Sequence, residues 1–134
     1  MIIVYCYIVG DILHRGHIEY LKNAKALGDK LIVGVLTDAA TQEKKPRPVM
    51  NFDERFDLVR SLKWVDVVVA QNTYSPLDNV IALRPDILIE STDHKEQSAN
   101  EYIESIGGRV LAMPYYPNHS STEVKNKIRE EGGK

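Results

Sequence analysis

Two histidines stand three residues apart near the start of the chain, in the run Gly10-Asp11-Ile12-Leu13-His14-Arg15-Gly16-His17. Side chains three apart on a helix share one side, so both imidazoles can reach the same ligand. Imidazole N–H groups donate hydrogen bonds that stabilise charge developing on a phosphate. Gly16 has no Cβ, so an anion can approach its backbone closely. The run predicts a phosphate site; the alternatives are a surface histidine pair on a helix cap or a partial metal site.

The elements around this run favour the phosphate interpretation. The run follows an apolar segment, Ile2–Val9, and opens a segment of helical period, His17–Leu27, with Gly28 as a stop signal. The expected apolar side of that helix comprises Ile18, Leu21, Ala24 and Leu27. Ligands of open α/β sheets bind beyond the carboxyl ends of the strands, where a helix N-terminus presents free N–H groups and partial positive charge.

The same alternation of strand and helix continues along the chain. Five apolar runs, rich in Val and Ile, have strand length: Ile2–Val9, Leu31–Leu36, Val65–Ala70, Asp86–Ile89 and Arg109–Met113. Continuous apolar strands indicate a sheet covered on both faces. Five βα units predict a parallel sheet with right-handed crossovers and helices on both sides, in one domain over residues 1–134.

Capping residues mark the other helices. Asn51 with Glu54, and Ser120 with Glu123, form capping-box patterns. Ser75 precedes Pro76 in the arrangement of a cap and a first-turn proline, and a helix near Lys95–Ile106 ends at two glycines. The buried side of the helix after Asn51 is predicted to be Phe52, Phe56 and Val59. Asp38–Met50 is the longest irregular stretch, and loops of that length are more often functional than idle.

Composition narrows the class of protein. The 134 residues are 43% hydrophobic and 27% charged, which excludes a disordered chain. The formal net charge is −2, so we expect no general nucleic-acid binding. The single cysteine, Cys6, lies in an apolar run and suits a reducing compartment. No apolar run is long enough for a membrane span, so we expect a soluble, cytoplasmic protein.

The histidine run and the segments after it resemble the cytidylyltransferase family of HxGH nucleotidyltransferases, of the glycerol-3-phosphate cytidylyltransferase type. That family shows G-x-F-D-x-x-H-x-G-H, where this chain has Val9-Gly10-Asp11 and then His14-Arg15-Gly16-His17. The likeness continues through Leu27-Gly28-Asp29, Glu54-Arg55, Trp64-Val65-Asp66 and Ser120-Ser121-Thr122. The chain departs from the family in Val9-Gly10, where Thr-Phe is usual, and in lacking the arginine that commonly precedes Ser120.

The resemblance implies a Rossmann-like, doubly wound, five-stranded parallel sheet in the order 3-2-1-4-5. It also implies a set of nucleotide-binding positions: Val9, Gly10, Asp11, His14, Gly16, His17, Asp93, Ser120, Ser121 and Thr122. Asp93 would face the histidines across the crevice, with a helix N-cap as the alternative. The hydroxyls of residues 120–122 would bind phosphate, with simple capping as the alternative.

The resemblance implies acceptor binding for Lys44, Lys45 and Arg55, and for Lys63, which stands where the family often has arginine. Tyr74 could stack on the substrate, with a packing aromatic as the alternative. The two lysines, with Arg47, could close over phosphates as a positive lid, with a solvated basic loop as the alternative. Arg55 could grip an acceptor phosphate bidentately, with a surface ion pair as the alternative. His14, His17, Lys44 and Arg55 are the expected catalytic residues.

The implied reaction is attack of an acceptor phosphate or phosphonate oxygen on the α-phosphorus of CTP, with loss of pyrophosphate. Mg²⁺ would bridge the triphosphate oxygens, and Asp11 would orient the loop or help hold the metal. Leu27-Gly28-Asp29 and Trp64-Val65-Asp66 favour CTP. The alternatives are an adenylyltransferase using ATP on a small phosphorylated acceptor, such as a heptose phosphate, and a non-catalytic nucleotide-binding module. A homodimer is also implied.

Overall fold

The computed structural model describes residues 1–90 and 97–113, which form one five-stranded sheet and five helices. The strands are β1 Ile3–Ile8, β2 Lys30–Leu36, β3 Val67–Gln71, β4 Ile87–Glu90 and β5 Arg109–Ala112. The helices are α1 Arg15–Lys25, α2 Asp38–Gln42, α3 Phe52–Arg60, α4 Leu77–Leu83 and α5 Gln97–Ser105. All pairings are parallel and the order is β3-β2-β1-β4-β5, which confirms the predicted fold.

Each face of the sheet carries its own apolar layer. Alternate residues of β1 point to opposite faces: Val4, Cys6 and Ile8 pack towards α1 and α3, whereas Tyr5 and Tyr7 pack towards α2, α4 and α5. Cys6, in the middle of β1, is fully buried. Because both faces are covered, the chain can open a ligand site only at an edge where strands end. No helix in residues 1–90 or 97–113 is long and apolar enough to cross a membrane.

Three aspartates close the edge of the sheet where the strands begin. Asp29 Oδ2 accepts the N–H of Ile2 at 2.7 Å, and Asp86 Oδ2 accepts that of Ile3 at 2.8 Å. Asp66 Oδ2 accepts the N–H of Leu31 at 2.8 Å and pairs with Lys25 Nζ at 2.7 Å. Each aspartate directly precedes a strand, so these bonds fix strand starts relative to one another.

A buried polar network shapes the opposite edge beside β3. Tyr5 Oη donates to Gln71 Oε1 at 2.5 Å and accepts from Asn79 Nδ2 at 3.0 Å. Gly34 leaves room for it, because a Cβ there would collide with the Tyr5 hydroxyl and lie 2.9 Å from Gln71 Oε1. The Gln71 amide also donates to the carbonyls of Thr73 and Tyr74, each at 3.2 Å, and thereby sets the turn after β3.

Several predicted boundaries need correction. Helix α1 ends at Lys25, so Leu27 lies beyond it and is 37% exposed; the buried side includes His17, Tyr20, Leu21 and Ala24. Part of the stretch predicted as irregular forms α2, which is capped by Thr37 and was missed because five residues are too few for a periodic signal. Asn51 caps α3 as predicted. The predicted helix from Ser120 lies outside the described residues.

Candidate active site

Residues 10–17, which lead from β1 into the first turn of α1 (the histidine turn), have an unusual backbone. Gly10 has φ 74° and Ile12 has φ 51°, so both neighbours of Asp11 adopt left-handed conformations. Glycine adopts this region readily, but a β-branched residue there is strained. Strain of this kind persists only where the surrounding structure enforces it. The consequence is that the Asp11 side chain turns inward, where it is fully buried.

The two histidines hold each other in place at the start of α1. His14 is the N-cap residue, and its Nδ1 accepts the N–H of Gly16 at 3.0 Å. His17 Nδ1 accepts the N–H of His14 at 3.2 Å, and the two ring centroids lie 4.2 Å apart. A nitrogen that accepts an N–H carries no proton, so in each neutral imidazole the donor nitrogen is Nε2.

Helix α1 adds positive potential to this pair. Its first turn carries no acidic residue, and its last turn carries Lys22 and Lys25. The N-terminus of the 11-residue helix therefore keeps its partial positive charge on the side where β1 ends. Two imidazole donors beside a helix N-terminus form an arrangement that suits an anion such as phosphate.

Asp11 connects the histidine turn to residues 43–50, the basic loop. Its Oδ2 accepts the N–H of Val49 at 2.8 Å, and its Oδ1 accepts the N–H of Met50 at 2.9 Å. Both carboxylate oxygens thus bind backbone of a segment nearly forty residues away in sequence. Of the two roles predicted for Asp11, this geometry corresponds to orienting the loop.

Arg55 is also part of this connection, and its position disagrees with the predicted phosphate contact. The side chain is fully buried on the side of α3 that packs against the rest of the domain. Its guanidinium donates to the carbonyls of Met50, Val9 and Leu36 at 3.1, 2.6 and 2.7 Å, and to Asp38 Oδ1 at 2.6 Å. Four of its five N–H donors are used within the protein. The guanidinium therefore joins the ends of β1 and β2 to the basic loop.

The cations of the basic loop face outward. Lys44, Lys45 and Arg47 are exposed, and their side chains make no hydrogen bond or ion pair within residues 1–90 and 97–113. The loop's first residue, Glu43, accepts the N–H of Tyr74 at 2.9 Å. Tyr74 is half-buried against the apolar layer of Tyr5 and Tyr7, at the edge where β3 ends. The predicted acceptor residues Lys44, Lys45 and Tyr74 therefore lie at the same edge as the histidine turn.

Comparison with known proteins agrees with this geometry. The sequence matches the family described as Cytidylyltransferase-like over residues 10–127. The chain belongs to this family of nucleotidyltransferases. It is 36% identical over 124 residues to "Bifunctional protein HldE" of Trichlorobacter lovleyi, covering 90% of this chain and 25% of that protein. The Citrobacter koseri protein of the same name is 37% identical over 130 residues, covering 94% and 27%. The chain thus spans about a quarter of the length of these curated relatives.

Solved structures share the fold. A lipopolysaccharide core biosynthesis protein from Thermoplasma volcanium is 34% identical, with a TM-score of 0.74 covering 87% of this chain and 97% of that one. A pantoate-beta-alanine ligase from Francisella tularensis, solved with an ATP compound and beta-alanine, has a TM-score of 0.54 at 17% identity, covering 96% and 70%. The second likeness supports the fold alone.

Two of the cytidylyltransferase-like motifs lie far from the histidines. Asp29 and Asp66 hold strand starts, and a Cβ on Gly28 would lie 2.7 Å from Val4 Cγ2. Strand β2 has seven residues, so its two ends are about 20 Å apart. These motifs are explained by sheet packing. Exposed Lys63, whose Nζ lies 5.0 Å from the Trp64 ring centroid, follows α3 near the same remote edge, which disagrees with its predicted acceptor role.

The sequence pattern did not single out one buried pair, which lies at the edge of the sheet where the strands end. Glu90, the last residue of β4, is 4% exposed, and Tyr7 Oη on neighbouring β1 lies 2.9 Å from each of its carboxylate oxygens. A glutamate that ends an apolar strand run was the signal for it. Four predicted nucleotide-binding residues, Asp93, Ser120, Ser121 and Thr122, lie outside the described residues.

The described residues do not form a metal site of their own. No group of three His, Cys, Asp or Glu side chains within residues 1–90 and 97–113 is arranged to hold an ion. Asp11, the predicted candidate ligand, is buried and binds two backbone N–H groups. This disagrees with a metal role for Asp11.

Proposed function

We propose that this domain transfers a nucleotidyl group from a nucleoside triphosphate to a small phosphorylated acceptor and releases pyrophosphate. The observation that carries the proposal is the histidine turn. There His14 and His17, both with Nε2 as donor nitrogen, stand at the N-terminus of α1 beside the end of β1. Membership of a nucleotidyltransferase family supports the same reaction.

In this reaction an acceptor phosphate oxygen attacks the α-phosphorus in line. A new O–P bond forms, the bond to the β-phosphate oxygen breaks, and its electron pair leaves with pyrophosphate. An ionised phosphate is already a nucleophile, so catalysis needs positioning and charge stabilisation rather than a general base. His14 and His17 would donate to the α-phosphate and leaving oxygens, and the exposed cations Lys44 and Lys45 would bind the remaining phosphates. Mg²⁺ would enter as part of the triphosphate substrate.

The nucleotide and acceptor define two candidates. The first is CTP with a phosphorylated alcohol resembling glycerol 3-phosphate, or a phosphonate, as the family resemblance implies. The second is ATP with a phosphorylated sugar. The similarity to a lipopolysaccharide core biosynthesis protein favours the sugar acceptor of this candidate, since that core is an oligosaccharide. Gly28, Asp29 and Asp66, whose motifs favour CTP by resemblance, lie at the remote edge, so they do not support CTP through a contact with the nucleotide.

A panel of triphosphates against acceptors, read by pyrophosphate release and by mass spectrometry of the product, tests both candidates. The acceptors are glycerol 3-phosphate, a small phosphonate and a heptose phosphate, each with Mg²⁺ and with EDTA. We expect one pair to release pyrophosphate and to form a nucleotidylated product. Nucleotide binding without any release would instead assign the chain to the non-catalytic class.

Variants of His14 separate catalysis from helix capping. Asn is a good N-cap residue, so His14→Asn keeps an acceptor for the Gly16 N–H but removes the imidazole. We expect His14→Asn and His17→Ala each to lower kcat by about 10²–10³-fold, the scale for loss of one preorganised donor. Wild-type turnover in both variants would contradict the assigned roles. A homodimer stays a prediction, to be checked by sedimentation equilibrium.

A further inference from the structure

We propose that Asp11 and Arg55 are positioning residues that hold the basic loop against the histidine turn. The proposal rests on the proposed function, because the loop is the part that would carry Lys44 and Lys45 to the phosphates. It replaces direct roles in metal and phosphate binding for these two residues.

The contacts converge on the backbone of Met50. Asp11 accepts its N–H at 2.9 Å, and Arg55 Nε donates to its carbonyl at 3.1 Å, so the residue is held from both sides. The second Asp11 oxygen holds the neighbouring Val49 N–H at 2.8 Å. Val49 is 64% exposed, so apolar packing of its side chain does little to hold the end of the loop.

Arg55 links the same point to the sheet. Its Nη1 donates to the carbonyls of Val9 and Leu36, which directly follow and end β1 and β2, at 2.6 and 2.7 Å. The guanidinium thus fixes the position of Met50 relative to the ends of β1 and β2. The histidine turn follows β1, so the loop and the turn are held relative to each other. A shift of Met50 would require these charge-assisted hydrogen bonds to break.

The strained turn provides independent support. Left-handed conformations at Gly10 and Ile12 bracket Asp11, and this conformation is strained for a β-branched residue. The Cβ of a residue at position 10 would also lie 3.3 Å from Val59 of α3. This backbone aims one carboxylate at two distant N–H groups, which is the geometry that the loop needs.

The other end of the loop is also fixed, which leaves the cations in between. The N–H groups of Lys44 and Lys45 donate to the Thr41 carbonyl at 3.2 and 2.9 Å, and Glu43 binds the Tyr74 N–H. With both ends held, the exposed side chains of Lys44, Lys45 and Arg47 project from a defined stretch of backbone. The anchor therefore sets where the positive charge lies relative to the histidines.

Asp11→Asn tests the anchor, because an amide presents one acceptor and one donor to two N–H groups. The matched control is Asp86→Asn, which makes the same chemical change to a strand-start contact at the remote edge. By residue-resolved hydrogen exchange, we expect the Val49 and Met50 amides to exchange at least tenfold faster in Asp11→Asn but not in Asp86→Asn. This readout needs no substrate, so it tests the anchor even if the proposed reaction fails.

A double-mutant cycle tests the functional role. We expect Asp11→Asn to lower kcat/KM by about 10²-fold, the scale of a 1 Å misplacement. In the Lys44→Ala/Lys45→Ala background the same change should cost less than about threefold, because the loop it positions has lost its lysines.

Two results would overturn the proposal. One is unchanged exchange of Val49 and Met50 in Asp11→Asn. The other is an equal loss of kcat/KM in both backgrounds, which would show that Asp11 does not act through the two lysines. If Asp11→Asn does not fold, Val49→Pro removes one anchored N–H while keeping the carboxylate, and the same two criteria apply to Met50 exchange and to the cycle.

Discussion

Replacing Arg55 by lysine separates a structural arginine from a substrate ligand. Lysine keeps the charge but presents three donors from one point, whereas the guanidinium reaches three carbonyls and a carboxylate in different directions. We expect at least two of these buried acceptors to lose their partner. Each such loss costs about 1–3 kcal/mol, so Arg55→Lys should destabilise the fold by about 2–6 kcal/mol.

This loss is large on the scale of the whole domain. Domains of this kind unfold with about 5–15 kcal/mol, and for 134 residues 1 kcal/mol corresponds to roughly 3.5 °C in Tm. The expected drop is therefore about 7–20 °C, measured by circular dichroism during heating and checked by urea unfolding. Arg60→Lys in the same helix is the matched control: its partner Asp57 is 3.0 Å away and both side chains are about two-thirds exposed, so Tm should barely change.

A different combination of stability and activity in Arg55→Lys would contradict the structural role. If Arg55→Lys melts within about 2 °C of wild type while kcat/KM falls by 10²-fold or more, the guanidinium acts on a substrate phosphate, and the structural interpretation is wrong. A fall in Tm of about 7 °C or more, with a loss of kcat/KM that largely disappears in the Lys44→Ala/Lys45→Ala background, would support the structural interpretation.

Three further outcomes follow from the packing. The Lys25 ammonium and the Leu31 N–H lower the pKa of Asp66, so its contribution is present above the unfolded value of about 3.9 and is lost as pH falls through the lower folded value. The Tm difference between wild type and Asp66→Asn should therefore be largest near neutral pH and should disappear as the pH falls below about 4. A Tm difference that does not change with pH would contradict this. Burial raises the pKa of the Cys6 thiol, so a thiol reagent should modify it only after unfolding, and fast reaction in the native protein would disprove its burial. Gly34→Ala should lower the free energy of unfolding in urea by about 1–3 kcal/mol, because the new Cβ collides with the Tyr5 hydroxyl. Tyr5→Phe removes that hydroxyl, so it should lower the free energy of unfolding less in the Gly34→Ala background than in wild type.

The fold was predictable because its signals are local and repeated. Continuous apolar runs located all five strands to within two residues at either end, and Asn51 marked the start of α3. The apolar side of α1 was misplaced because Leu27 has the right spacing but follows the last helical residue. Short α2, of five residues, carries less than two turns of periodicity and could not be recognised by it.

The arrangement of the candidate site was predictable only where its residues are close in sequence. The spacing of His14 and His17 is visible in the sequence. The role of Arg55, in contrast, depends on carbonyls that three separate segments contribute. A family motif marks such an arginine without saying whether it faces substrate or core. The same limit applies to Asp29 and Asp66: a motif match cannot distinguish an edge that binds ligand from an edge that holds strand starts.

The anchor of the histidine turn has a consequence for how the site comes into being during synthesis. Asp11 forms its hydrogen bonds with Val49 and Met50, and the Val9 carbonyl accepts from Arg55. These partners lie 38 to 46 residues later in the sequence. A nascent chain that has released only β1, α1 and β2 from the ribosome contains both histidines but none of these partners. The strained conformation of Ile12 has nothing to hold it at that stage. The proposed affinity for a triphosphate should therefore arise only after α3 has emerged and docked.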